Sequence, residues 1–219
     1  MINRRKKLNI DVIAQNAIKI KNENGKVVYF DPFRLNGNSI ENADIIFITH
    51  SHYDHFSEED IKKIKKENTK IVITEDLYVQ TSMLGFDEKD ILTVLPNNEY
   101  DFAGIKFKTI PAYNTNKEFH KREYNWVSYI VGIDNEIVYV AGDTDITDEA
   151  LNVKCDIALV PVGGTYTMNA EEAAELISKI QPTKYAIPTH YKTLVGSVED
   201  AIKFKRLLEG KTQVNILMN

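Results

Sequence analysis

The sequence holds five histidines, and three of them fall in the run Thr49-His-Ser-His-Tyr-Asp-His55. Imidazole and carboxylate are ligands that Zn²⁺ accepts alongside thiolate. A thiolate cluster is excluded because Cys155 is the one cysteine. The run directly follows the apolar residues 45–48, which read as a short buried strand. In extended chain, residues i and i+2 point the same way, so His50 and His52 can reach one metal from the strand end. The chain must then turn, and Asp54 and His55 can serve a second metal beside it. Surface histidines without a ligand role are the bland alternative. So dense a cluster, with an aspartate interleaved at a strand end, favours metal chemistry.

The elements that must position this run alternate along the chain. Residues 12–20 and 27–30 read as two strands around an Asn-Gly turn at Gly25. Ser57 caps a helix from Glu58 to about Glu67, with Ile61 and Ile64 on one face. Residues 70–74 read as a strand and 76–84 as a helix. Strands follow at 91–95, 105–110, 126–133 and 136–141, the last two joined by Asp134-Asn135. The final third reads as a strand at 157–161, a helix capped by Asn169, a strand at 185–187, a helix at 198–208 and a strand at 214–217. No internal repeat or linker interrupts this order, which predicts one layered α/β (α+β) domain over residues 1–219.

The His-x-His-x-Asp-His pattern after an apolar strand resembles the signature of the metallo-β-lactamase superfamily. Further motifs extend the resemblance over nearly the whole chain. Asp31-Pro-Phe33 is similar to the family's acidic turn, Ala141-Gly-Asp-Thr-Asp145 to its Gly-Asp motif, and Pro188-Thr-His-Tyr191 to the segment carrying its last metal histidine. The resemblance implies a four-layer αββα sandwich with metals at one edge. It implies that His50 and His52 bind a first metal, that Asp54, His55 and His190 bind a second, and that Asp143 bridges them. The Ser-His-Tyr-Asp-His run and the Pro-Val-Gly-Gly loop look most like the small branch of ascorbate-6-phosphate lactonase-like proteins and relatives of N-acylphosphatidylethanolamine phospholipase D.

One position departs from the family's pattern. Asn114 stands where the family supplies a further histidine to the first metal, and His120 lies downstream within loop reach. His120 replaces the ligand, binds substrate or sits on the surface; a loosely held first metal would favour a single ion or a harder one. By the same resemblance the loop after Gly163-Gly164 faces the site, bringing Thr165, Tyr166 and Met168 to substrate. Asp145, Tyr53, Tyr191 and Asp31 flank proposed ligands and are candidates to orient an imidazole. Trp126 and Tyr129 are expected to face opposite sides of a strand as core residues. Asp143-Thr-Asp145-Ile-Thr147 also fits the nucleophile box of haloacid-dehalogenase-like phosphatases, but that reading leaves the histidines without a purpose.

Composition bounds the partners. The chain has 219 residues, with 27 basic and 32 acidic side chains for a net charge of −5, which disfavours a nucleic-acid partner. The basic cluster Arg4–Lys7 precedes no apolar stretch, so no signal peptide is expected. No run approaches the roughly 20 apolar residues of a membrane span. The single cysteine fits a reducing, cytoplasmic setting and reads as a buried packing residue. Taken with the histidine pattern, the family resemblance implies a metal-dependent hydrolase for a small-molecule substrate, such as a phosphodiester, lactone or related ester. One or two Zn²⁺ ions, or Mn²⁺ or Fe²⁺, would serve it. Asp54 would move protons and His120 would assist, with Asn114, Thr165 and Tyr166 near substrate. The alternative is a metal-binding or ligand-sensing module without turnover.

Overall fold

A computed structural model describes residues 8–37 and 40–218; the basic cluster Arg4–Lys7 lies outside them. The first half of the chain forms β1 (Asn9–Ala14), β2 (Ala17–Lys21), β3 (Val27–Phe30), β4 (Ile45–Phe47), α1 (Glu58–Ile64), β5 (Lys70–Thr74), α2 (Tyr78–Met83) and β6 (Ile91–Val94). The second forms β7 (Glu99–Phe102), β8 (Ile105–Pro111), β9 (Val127–Ile133), β10 (Glu136–Val140), α3 (Asp148–Leu151), β11 (Ile157–Pro161), α4 (Ala170–Ile180), β12 (Tyr185–Thr189) and α5 (Val198–Leu207). Each half makes a six-stranded sheet, ordered β1 to β6 and β12 to β7.

Side-chain alternation stacks the layers. In the first sheet Val28, Phe30, Ile45, Phe47 and Val72 face the second sheet. Their neighbours Tyr29, Ile46, Ile48, Ile71 and Ile73 face outward, where Ile61 and Ile64 of α1 and Leu84 cover them. Period-two burial on both faces is what a central strand between a sheet and helices requires. The second sheet is covered by α4 and α5 through Leu176, Ile177, Phe204 and Leu208. The result is the expected αββα sandwich.

Both sheets carry a parallel part, β3-β4-β5-β6 and β10-β11-β12. An aspartate directly precedes β4 in one and β11 in the other. Asp44 Oδ2 accepts from Val27 N at 2.8 Å, and Asp156 Oδ2 accepts from Ile137 N at 2.8 Å. The carboxyl ends of these strands meet along one edge of the sandwich, where ligand sites of parallel sheets form.

Several elements differ from the expectation. Residues 12–20 are two strands that turn at Gln15-Asn16, with Gln15 at φ 48°. Neither residue carries the usual glycine signal, and partners distant in sequence hold the turn: Asn16 Nδ2 donates to Asp31 at 2.6 Å and Leu194 N donates to Gln15 Oε1 at 3.2 Å. The expected last strand contributes only a bridge between Val214 and Ala186. The edge strand β7 went unpredicted because half of it is solvent-facing and charged. The caps at Ser57 and Asn169 form as expected, accepting from Asp60 N and Glu172 N.

Candidate metal centre

The strand β4 ends in a clamp between the sheets. Tyr129, buried in the core, donates its hydroxyl to Ile48 O at 2.7 Å, and Val127 N donates to Thr49 O at 3.1 Å. The next residues, His50 to His55, therefore leave the strand at a fixed angle along the shared edge. His55 N and Phe56 N both bond back to His52 O, closing the turn that the spacing of the histidines required. Asp143 arrives from the end of β10 after Gly142, where φ is 63° and an added Cβ would lie 3.0 Å from the Thr49 side chain. His190 follows β12 in a left-handed conformation, φ 54°.

Two groups of donor atoms result, each within 4.8 Å: His50, His52, His120 and Asp143, and beside them Asp54, His55 and His190. Asp143 touches both. Its Oδ2 lies 3.3 Å from His120 Nε2 and 3.2 Å from His190 Nε2, and its Oδ1 lies 3.3 Å from His55 Nε2. His55 Nε2, His120 Nε2 and Asp143 Oδ1 are buried without a hydrogen-bond partner. Buried polar atoms are normally satisfied. Orphaned nitrogens and a carboxylate oxygen aimed at one small volume fit a divalent cation.

Outer contacts set the imidazole tautomers. Asp31 Oδ2 accepts from His55 Nδ1 at 2.8 Å and from Thr49 Oγ1 at 2.7 Å. Because Thr49 Oγ1 spends its proton on Asp31, it must accept from His50 Nδ1, 2.9 Å away. Asn114 Oδ1 accepts from both His120 N and His120 Nδ1 at 3.0 Å. Each bond turns the Nε2 lone pair toward the cluster, the arrangement that orients metal-binding histidines.

Charge follows the same logic. Burial, then His55 beside it, pushes the His50 imidazole well below its ordinary value. Burial likewise lowers His52. Burial is the largest influence on His55 and His190 and opposes their charge, yet Asp143 together with Asp31 at His55, and Asp143 together with Asp54 at His190, outweigh it. His55 is held well above the usual range and His190 is raised to about 9. Burial would raise the Asp54 carboxyl, but the bond to His190 and the nearby His55 bring it to about 2. Burial would also raise Asp143, and His190 and His55 hold it well below the carboxylate range. The protons that balance these buried carboxylates sit where a cation would otherwise sit.

The remaining expectations divide. His120 is buried in the first group, so the surface alternative falls away. Asn114 is committed to His120 and, through Nδ2, to Tyr166 O at 3.0 Å. Tyr166 lines the pocket over the cluster with Gln15, His52, Asp54, Phe119 and Leu194, in a cavity of about 370 Å³. Thr165 is exposed beside it. Met168 is instead a core residue, because the chain turns inward to start α4. Asp31 orients an imidazole, but the other three flanking candidates do not. Asp145 binds Thr115 N and Lys117 Nζ, Tyr53 packs on Phe33, and Tyr191 donates to Met218 O. Trp126 is buried as expected, but it precedes β9 and packs beside the cluster, its ring 4.8 Å from those of His50 and His52. Gln15 was missed altogether. Its Nε2 lies 3.3 Å from Asp54 Oδ2 and 3.2 Å from His190 Nε2. A buried polar residue in a left-handed turn is the signal, and it exists only in the fold.

A larger groove of about 820 Å³ lies at the opposite strand ends, around Asn22, Lys26, Asp44 and Asp134. None of the five histidines lines it.

Comparison with known proteins agrees with this geometry. Residues 9–190 match the profile of the beta-lactamase superfamily domain. A UPF0173 metal-dependent hydrolase of Thermococcus kodakarensis is 32% identical over 209 residues, covering 89% of this chain and 90% of its own. A Parabacteroides distasonis crystal structure superposes with a TM-score of 0.81 at 28% identity, covering 97% of this chain and 94% of its own. A metallo hydrolase of Ignicoccus hospitalis shares the fold, with a TM-score of 0.77 at 22% identity over 96% of this chain and 95% of its own. The chain belongs to the metallo-β-lactamase superfamily, as a metal-dependent hydrolase of that fold.

Proposed function

We propose that residues 1–219 act as one catalytic unit holding two divalent ions, most simply Zn²⁺, and that the site hydrolyses an ester bond in a small molecule. His50, His52 and His120 would hold the first ion and Asp54, His55 and His190 the second, with Asp143 available to both. Mn²⁺ or Fe²⁺ could serve the same donors. The observation that carries this reading is Asp143, whose two oxygens reach histidines of both groups.

Ions so held supply an acidified water and a Lewis acid. The chain's own residues do the rest. Asp54 reaches the pocket and can carry a proton to the leaving oxygen. Trp126 packs against the histidines, and Phe119 and Tyr166 line the pocket beside them, which limits bulk water. Asn114 and Asp31 keep the imidazoles from turning. The setting is a reducing compartment with no nucleic acid involved; among the described residues no helix is long and apolar enough to cross a membrane.

The test is metal depletion followed by readdition of Zn²⁺, Mn²⁺ or Fe²⁺, with turnover of 4-nitrophenyl esters, lactones and bis(4-nitrophenyl) phosphate. Recovery of hydrolysis with metal supports the reading. Stoichiometric metal binding with no turnover on any of them would make the chain a binding or sensing module instead.

A further inference from the structure

The pocket over the metal centre has a chemical character that the metal-ligating residues do not explain. Beyond Gln15, His52, Asp54 and Asp143, its walls are Tyr53, Phe119, Tyr166, Leu194 and Val195. Tyr53 is 67% exposed, Phe119 47%, and Tyr166 and Leu194 38% each. Large apolar side chains are left in water here, around a concave site, which marks a binding surface. They are also held in place. The Phe119 and Tyr166 rings meet edge to face at 4.7 Å, and Tyr53 meets Phe33 at 6.0 Å. Asn114 Nδ2 fixes the Tyr166 backbone from behind.

Charge on the walls is one-sided. Among the described residues no lysine or arginine lines the cavity. Arg34 lies over the Phe33 ring and donates to Thr193 O. Lys117 is paired with Asp145. A phosphate away from the metals would need such a cation or a free helix N-terminus. The helices that begin after the pocket loops start acidic: α1 with Glu58, Glu59 and Asp60, α3 with Asp148 and Glu149, and α4 and α5 with carboxylates that occupy their own first backbone N–H groups. Glu172 accepts from Asn169 N at 2.9 Å at the start of α4, and Asp200 accepts from Ser197 N at 2.7 Å at the start of α5. The donors on the walls are uncharged: the Tyr53 and Tyr166 hydroxyls and the Gln15 carboxamide, whose Nε2 also meets Asp54 and His190, all suited to a carbonyl or ether oxygen.

Resting on the hydrolase reading, we propose that this pocket takes an uncharged carboxylic ester or lactone whose apolar alkyl or aryl group packs on Phe119, Tyr166 and Leu194, rather than a sugar phosphate. Water adds to the acyl carbon and the C–O bond to the leaving oxygen breaks. That oxygen takes one proton of the water and the other passes to solvent, leaving a carboxylate and an alcohol, which a lactone yields as one hydroxycarboxylate. Burying the apolar group drives selection, while an anionic group in the same place would lose its hydration without a partner.

Calorimetric titration of the metal-loaded full chain with acetate, butanoate, hexanoate and octanoate, and separately with 6-phosphogluconate, tests this without requiring turnover. Affinity should rise about two- to fourfold per methylene, the value of burying one. 6-Phosphogluconate should bind more weakly than octanoate. Tyr166→Ala and Phe119→Ala should each flatten the chain-length slope, and Leu194→Lys should tighten 6-phosphogluconate. Either alanine variant suffices if the other fails to fold. A wild-type slope of zero, or 6-phosphogluconate binding tighter than octanoate, overturns the proposal. A clear slope with no hydrolysis of the matching 4-nitrophenyl esters would overturn the hydrolase reading and leave the pocket's preference standing.

Discussion

In the proposed centre Asn114 and His120 together would supply what the family resemblance assigns to a single histidine at position 114. The amide accepts the Nδ1 proton, and the ring presents Nε2 to Asp143. Asn114→Ala should therefore weaken the first metal about 10- to 100-fold, as loss of an orienting partner does, while the second metal holds. Competition with a fluorescent chelator reads both affinities. The spacing of His50, His52 and His55 announced the cluster because strand geometry is local. The choice between roles for His120 was not local; it depends on a loop closed by Asn114 N donating to His120 O at 2.7 Å. Gln15 was invisible for the same reason. A second prediction concerns Cys155. Burial pushes its thiol up to about 12, and the thiolate is the reactive form. Folded protein should show no fast-reacting thiol with Ellman's reagent at pH 8, and denatured protein should show one.

At the scale of elements, the site depends on strand ends meeting closely. An added Cβ at Gly163 would lie 2.2 Å from His190 O. Gly163→Ala should cost about 2 kcal/mol, the scale of overpacking, and should displace His190, lowering the melting temperature and second-metal affinity together. The aspartates that directly precede β4 and β11 give a pH prediction. Burial would raise Asp156, but the Thr183 hydroxyl and Ile137 N–H outweigh it, so its folded carboxyl titrates below the ordinary value. Such a group stabilises the fold above its unfolded pKa of about 3.9 and loses that contribution as pH falls through the folded value. The gap in urea midpoint between wild type and Asp156→Asn should be full at pH 6 and shrink toward pH 3. Core strands such as β4, β9 and β11 were legible as apolar runs. The break at Gln15-Asn16, the edge strand β7 and the fate of residues 214–217 were not, since pairing partners decide them.

Across the whole molecule, two sheets with parallel parts bring Asp31, His50, Asp143 and His190 from four strand ends to one edge. Motif order along the chain made that edge readable as a family resemblance; the apolar pocket walls, drawn from separate loops, were not readable. The central claim is that seven side chains form two metal positions sharing Asp143. Equilibrium dialysis against Zn²⁺ with elemental analysis tests it most directly, on wild type and on His120→Ala, with circular dichroism to verify folding. The account predicts two ions per wild-type chain and about one in the variant. A wild-type chain that retains no zinc, or a folded His120→Ala chain that still holds two ions with unchanged affinity, would contradict it.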